Sequence, residues 1–276
     1  MRIRYILFLL TLTQMAFSQN DIQKMENTQI EFVHIRHATS IIKIGNKKIL
    51  IDPMLSKKDS LPTINTSDNK LKNPRIDLPF NSDSIIKNID YVLLTHLHFD
   101  HFDKKAIEIL PKSTHILCSK TDSKNNNIGF SSTIPIENEY EIDDIKITQF
   151  PAIHGKGLLK YMMGKGSSYL ITYKGFKIFL TGDCIWSKSL KNNLLTIKPD
   201  IIIANAGAAK LKIGKPITMS INDIQEISKH LNETKIYVVH LDALNHCSET
   251  SDYCKEQTLN NSNIIIPNCG EIIELD

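Results

Sequence analysis

Four side chains able to hold a metal ion fall within six consecutive residues. They are His96, His98, Asp100 and His101, in the run Thr95-His96-Leu97-His98-Phe99-Asp100-His101. The cluster begins where an apolar stretch, Asp90–Thr95, reads as a buried strand. Period-two geometry sends His96 and His98 to one side of the strand end, and Asp100 and His101 follow as the chain turns away. Imidazole nitrogens with a carboxylate suit zinc, and also iron or manganese. A metal held by such donors polarises a carbonyl or phosphoryl oxygen and makes water acidic enough to attack near neutral pH. The bland alternative is a histidine-rich surface turn, but H-x-H-x-D-H directly after an apolar strand rarely arises without a metal. No activated Ser or Cys pair accompanies the cluster, so direct attack by metal hydroxide is the chemistry expected.

Four more segments put a lone Asp or His at the end of an apolar run. They are Ile49-Leu50-Ile51-Asp52-Pro53, Phe150-Pro151-Ala152-Ile153-His154-Gly155, Leu180-Thr181-Gly182-Asp183 and Tyr237-Val238-Val239-His240. Singly, His154 reads equally as an ordinary loop histidine, and Asp183 as a turn residue after Gly182. Jointly and in this order, the segments resemble the metallo-β-lactamase fold superfamily, and the resemblance covers the chain from about Glu31 to its end.

That resemblance implies an α/β fold of the αββα sandwich type, two mixed β-sheets flanked by helices. It implies that His96, His98 and His154 hold one divalent ion, that Asp100, His101 and His240 hold a second, and that Asp183 bridges them. Zinc is the first expectation, with iron or manganese as alternatives. Asp52 would steady the cluster from behind, a support that metal sites usually need. Two cations about 4 Å apart share a water and bring its pKa toward ~7, so a bridging hydroxide is the expected nucleophile. Asp100 is the catalytic carboxylate expected to orient that hydroxide or accept its proton. Cys184 adjoins Asp183 and invites a reading as a ligand, but neighbouring strand residues point to opposite faces, so it is expected in the core or just behind the ligands.

Arg36-His37-Ala38-Thr39 and Leu241-Asp242-Ala243-Leu244-Asn245-His246-Cys247 resemble a narrower branch. It holds relatives of ascorbate-6-phosphate lactonase and of the N-acylphosphatidylethanolamine-cleaving phospholipase. His37 and His246 then read either as substrate contacts or as structurally satisfied histidines. Fold and ligands do not choose a substrate. The expectation is a metal-dependent hydrolase acting on an ester-like, lactone or phosphoester substrate, small or lipid-like. The alternatives are a β-lactam hydrolase and a non-catalytic metal-binding module, and the full set of seven candidate ligands argues against the module.

The elements that must carry these residues read as short apolar runs and amphipathic stretches. Ile30–Ile35, Ser40–Ile44 and Lys48–Ile51 are strand-like, with Gly45-Asn46 as a hairpin turn. Pro53 to Ser82 is rich in Pro, Asn, Ser and Lys without periodicity, and loops of that length tend to shape a site. Lys104–Leu110 has helical spacing stopped by Pro111. His115–Cys118, Ile145–Phe150, Ser168–Tyr173, Phe176–Thr181, Asp200–Ala204 and Lys235–His240 read as strands. Ile221, Ile224, Ile227 and Leu231 mark a helical stripe with Ser220 as N-cap. Ser248–Leu259 reads as a helix and Asn263–Ile266 as a last strand, so the second half roughly echoes the first.

The chain has 276 residues, 41% hydrophobic, with a net charge of only +3 and no dense basic block, so nucleic acid is not an expected partner. Met1-Arg2-Ile3-Arg4, the apolar run from Tyr5 and the small residues of Ala16-Phe17-Ser18 read as a signal peptide. Residues 1–18 would be removed, leaving 19–276 as an exported, periplasmic or secreted hydrolase domain. No further apolar stretch is long enough to span a membrane. Cys118, Cys184, Cys247, Cys254 and Cys269 are an odd set. Cys247 and Cys254 either pair or remain thiols.

Overall fold

Adjacent residues of the strands divide between two cores. In Ile30–Arg36, Ile30 and Phe32 join one buried cluster while Val33 and Ile35 join another. In Lys235–Val239, Tyr237 and Val239 join the first cluster, and Ile236 and Val238 a third. Strands buried on both faces read as continuous apolar runs rather than alternating ones, which is why they stand out in the sequence.

The computed structural model describes residues 30–64, 69–124 and 128–275. The signal-peptide reading of residues 1–18 lies outside them. Strands β1 (Ile30–Arg36), β2 (Thr39–Ile44), β3 (Lys47–Ile51), β4 (Tyr91–Leu93), β5 (His115–Ser119), β6 (Ser132–Ile136) and β14 (Ile272–Leu275) make one sheet. Its order is β14-β1-β2-β3-β4-β5-β6. The other contains β7 (Glu139–Ile142), β8 (Ile145–Ala152), β9 (Gly166–Tyr173), β10 (Phe176–Leu180), β11 (Ile201–Asn205), β12 (Lys235–Val239) and β13 (Ile264–Ile265). It runs β13-β12-β11-β10-β9-β8-β7. Each sheet is mixed: β3 to β6 and β10 to β13 pair parallel, and the remaining neighbours pair antiparallel. The second half thus repeats the first, as the sequence implied.

The inner faces meet in a core that includes Phe32, Ile42, Leu93, Tyr169, Leu180 and Val239. Helices α1 (Ser82–Ile86) and α2 (Lys104–Ile109) cover the first sheet through Ile85 and Ala106. Helices α5 (Lys188–Ile197), α6 (Ile221–His230) and α7 (Ser251–Gln257) cover the second through Leu190, Leu194, Ile224, Ile227 and Cys254. Two single-turn helices, α3 (Lys120–Ser123) and α4 (Leu158–Met162), lie in connections. The architecture is the expected αββα sandwich.

Several expectations are corrected. Asn263–Ile266 does not end the sheet structure, because β14 follows and pairs with β1. The strand expected over Asp90–Thr95 contracts to β4, since the Thr95 amide turns away to donate to Asp52 Oδ1 at 2.8 Å. All five cysteines are free thiols, so Cys247 and Cys254 are not joined.

The long connection after β3 is fastened from within the protein. Arg36 is fully buried, and its guanidinium donates to the carbonyls of Met54, Ser56 and Ile76, each at 2.9 Å. Asn73 and Asn245 exchange hydrogen bonds at 2.9 Å, fixing this connection to the segment that carries His246.

Candidate metal centre

The ends of β3, β4, β8, β10 and β12 deliver Asp52, the 96–101 cluster, His154, Asp183 and His240 to one place. Ligand atoms of His96, His98 and His154 lie within 4.8 Å of one another, as do those of His96, His101 and Asp183. A third group at the same spacing joins His37, Asp100, His101 and His240. The structure therefore brings together all seven ligands expected from the sequence, and adds His37.

Asp183 is the centre of the arrangement. Its carboxylate lies 3.3 Å from His101 Nε2, 3.3 Å from His240 Nε2 and 3.6 Å from His154 Nε2. Asp100 Oδ2 lies 3.3 Å from His37 Nε2 and 3.9 Å from the Nε2 atoms of both His101 and His240. His96 Nε2 and His98 Nδ1 face each other at 2.9 Å.

The far sides of three of the rings are tied down. His154 Nδ1 meets Ile217 O at 2.9 Å, His240 Nδ1 meets Ala206 O at 3.2 Å and His101 Nδ1 meets Asp52 Oδ2 at 2.8 Å. An Nδ1–H that donates outward leaves Nε2 unprotonated and aimed inward, the tautomer a metal requires. Asp52 also accepts from the Thr95 amide and hydroxyl at 2.8 and 2.6 Å, while Asn205 Nδ2 donates to Asp183 Oδ1 at 2.8 Å. The positioning roles of Thr95 and Asn205 were missed in the sequence. Each is a polar residue closing an apolar run, and that is the signal it offered.

Backbone geometry is equally committed. Asp52 and His240 sit at φ 43° and 70°, left-handed values that cost a non-glycine residue energy and concentrate at functional sites. Gly182 sets up Asp183 at φ 56°, and a Cβ there would fall 2.5 Å from the Ser167 carbonyl oxygen.

The charge balance fits a cation. The Nε2 atoms of His101 and His240 are buried and make no hydrogen bond. Burial opposes protonation of His101, yet the Asp183, Asp52 and Asp100 carboxylates push its pKa up to about 10. Burial likewise acts against a charged His240, and Asp183 outweighs it, holding the imidazole well above its ordinary value. Burial keeps His96, His98 and His37 low, and so neutral. Orphaned nitrogens beside buried carboxylates are what a divalent ion would satisfy, by replacing a proton. The residues present fit such an ion.

One side of the cluster opens into a cavity of about 190 Å³. Ile64, Phe99, Met163, Leu211 and Ile217 form its apolar wall, and His98, Asp100, His154, Asp183 and His246 its polar floor. The sequence offered His37 and His246 alike as substrate contacts. His246 lines the cavity with its Nδ1 unpaired, and burial draws its pKa down to about 4. His37 is fully buried behind Asp100, with its ring 3.6 Å from that of His240. Cys184 packs with Phe179 and Leu190 in the helix-side core, as its position on the chain implied.

Residues 29–240 match the family described as the beta-lactamase superfamily domain, and the chain belongs to that superfamily. Within it, the chain is 33% identical over 252 residues to the UPF0173 protein YddR of Bacillus subtilis, covering 88% of this chain and 98% of that one. It is 27% identical over 236 residues to a UPF0173 metal-dependent hydrolase of Thermococcus onnurineus, covering 84% and 94%. The crystal structure of an isothiocyanate hydrolase from Delia radicum gut bacteria superposes with a TM-score of 0.84 at 29% identity, covering 88% and 98%. The protein is a metal-dependent hydrolase of this superfamily.

Proposed function

We propose that the protein is a two-metal hydrolase of small, neutral electrophiles whose reacting carbon is flanked by heteroatoms. The observation that carries this reading is the cavity. It is small, its outer wall is apolar, and no Lys or Arg stands among the described residues that line it. A phosphoester or a carboxylated β-lactam brings a negative charge for which this lining offers no cationic side chain beyond the metal ions themselves. An isothiocyanate brings none, and the likeness to an isothiocyanate hydrolase supports that class over a phosphoester.

In this reading His96, His98 and His154 would hold one ion and Asp100, His101 and His240 the other, with the Asp183 carboxylate available to both. Zinc, iron and manganese all suit these donors. Two divalent ions bound there supply Lewis acidity to the substrate and acidify a water so that it attacks near neutral pH. Burial favours the neutral acid at Asp100, but His101 and His37 hold it ionised, and it accepts a hydrogen bond from the attacking water. The water oxygen bonds the electrophilic carbon, and its proton passes toward the heteroatom whose bond to carbon is weakened. His246, neutral on the cavity floor, contacts that heteroatom through its unpaired Nδ1. Ile64, Phe99 and Leu211 exclude bulk water and grip the apolar substituent.

The test is metal analysis of the purified protein together with turnover of benzyl isothiocyanate, a lactone, a phosphodiester and a cephalosporin. About two equivalents of metal, with turnover of the isothiocyanate or lactone abolished in Asp183→Ala, is the expected result. Turnover confined to the phosphodiester or the cephalosporin overturns the substrate class, and a protein that takes up no metal overturns the site.

A further inference from the structure

A second surface lies beside the cavity and plays no part in the chemistry above. Helix α4 buries none of its residues, and Leu158, Tyr161 and Met162 are 76%, 80% and 61% exposed. Ile213, on the loop before Ile217, is 83% exposed. Large apolar side chains standing this far out of a surface are costly to leave in water, and a contiguous group marks an interaction site. Leu159 packs against both Gly155 and Gly214, which joins α4 and the 210–215 loop into one cap. Between them runs an apolar groove of about 730 Å³ lined by Leu158, Leu159, Met162, Leu211 and Ile213.

The cap is strongly cationic. Lys156, Lys160, Lys165, Lys210, Lys212 and Lys215 are all exposed, and neither 153–167 nor 206–219 contains an acidic residue. These six positive charges exceed the +3 of the entire chain, so the rest of the protein is net negative, and Lys156, Lys212 and Lys215 line the groove itself. Protruding aliphatic and aromatic side chains ringed by lysines match the interfacial region of a bilayer. Such side chains settle among headgroups and upper acyl chains while lysines meet lipid phosphates. A second copy of this chain is a poorer occupant, because a two-fold contact sets one lysine ring against the other.

We propose that this lysine-ringed cap docks the protein onto anionic lipid bilayers. Leu211 lines both the groove and the metal cavity, and Met163, next to Met162, lines the cavity as well. Docking therefore turns the mouth of the active site toward the lipid, where apolar substrates concentrate. The inference stands on exposure and charge, and holds whether or not the proposed substrate class is right.

The test is co-sedimentation of the full protein with vesicles of phosphatidylglycerol and phosphatidylethanolamine, compared with phosphatidylcholine alone. Binding at least ten-fold stronger to the anionic vesicles, weakened by salt, is the expected result. It falls ten-fold or more in the combined variant Leu158→Ser, Tyr161→Ser, Ile213→Ser and in Lys156→Glu with Lys212→Glu. Lys104→Glu with Lys105→Glu, on α2, leaves binding unchanged. Because a combined variant can misfold, a Tyr161→Trp reporter in a Trp186→Phe background gives an independent reading. Its emission is quenched by brominated acyl chains if the cap enters the bilayer. Absence of vesicle binding or of quenching overturns the proposal. So does a dimer that forms without lipid and that the triple serine variant dissolves, which would make the cap a self-association surface.

Discussion

Asp52 is one carboxylate that fixes three groups at once. It accepts from the backbone and hydroxyl of Thr95 at the start of the histidine cluster, and it holds His101 Nδ1. It contacts neither cavity nor substrate, so its effect must pass through the geometry of the ligands. Replacing a carboxylate that orients a metal-bound imidazole typically costs about 10- to 100-fold in metal affinity. Asp52→Asn keeps the shape but turns one oxygen into an NH2, so either Thr95 N, held by Oδ1, or His101 Nδ1, held by Oδ2, meets a donor instead of an acceptor. The expected outcome is weaker metal binding by that factor, measured by competition with a chromophoric chelator. A variant that binds metal as tightly as the parent would show that the ion alone orders His101. Much of this arrangement was legible in the sequence, because candidate ligands and strand ends are local features. Thr95, Asn205 and Arg36 were not, because their work is done through hydrogen bonds to residues distant in the chain.

Among the elements, α6 carries the clearest local signature. Ser220 Oγ accepts from the Asp223 amide at 3.3 Å, and the Asp223 carboxylate accepts from the Ser220 amide at 2.9 Å, a reciprocal cap. Ile221, Ile224 and Ile227 then enter the core as the periodicity requires. Such a cap typically contributes about 1 kcal/mol, so Ser220→Ala is expected to lower unfolding free energy by that amount in urea without altering metal content. A loss of metal would tie α6 to the site in a way its contacts do not. Strand β14 is the opposite case. Its four residues, Ile272–Leu275, lie at a sheet edge and owe their conformation to β1, more than two hundred positions earlier. No local pattern announces such pairing. Helix α5 was passed over despite Ser187 as a cap, because its apolar stripe is only Leu190, Leu194 and Ile197, broken by Lys191, Asn192 and Asn193.

Over the whole molecule the two sheets deliver the candidate ligands from opposite sides. Asp52 and the 96–101 cluster follow strands of the first sheet, whereas His154, Asp183 and His240 follow strands of the second. An ion coordinated by both would therefore act as a further crosslink between halves already joined by side-chain packing and by hydrogen bonds such as Ser167 N to Thr95 O at 2.9 Å and His240 N to His37 O at 3.0 Å. A ligand that binds only the folded state stabilises it by RT ln(1 + [L]/Kd), about 4 kcal/mol at a thousand-fold excess over Kd. The form freed of metal by chelation is accordingly expected to show a lower Tm that recovers when metal is added back. Hydrogen exchange should locate the loss. Backbone amides at the site ends of β3 and β4 and those at the site ends of β10 and β12 should become less protected together, because one crosslink serves both. His240→Ala removes a donor from the second sheet alone. If the crosslink account holds, protection on the first sheet falls as well, since the ion that orders it is held less tightly. Loss confined to the segment around residue 240 would mean that each sheet orders its own half of the site, and the metal would then be a passenger on a fold already fixed by the inter-sheet core.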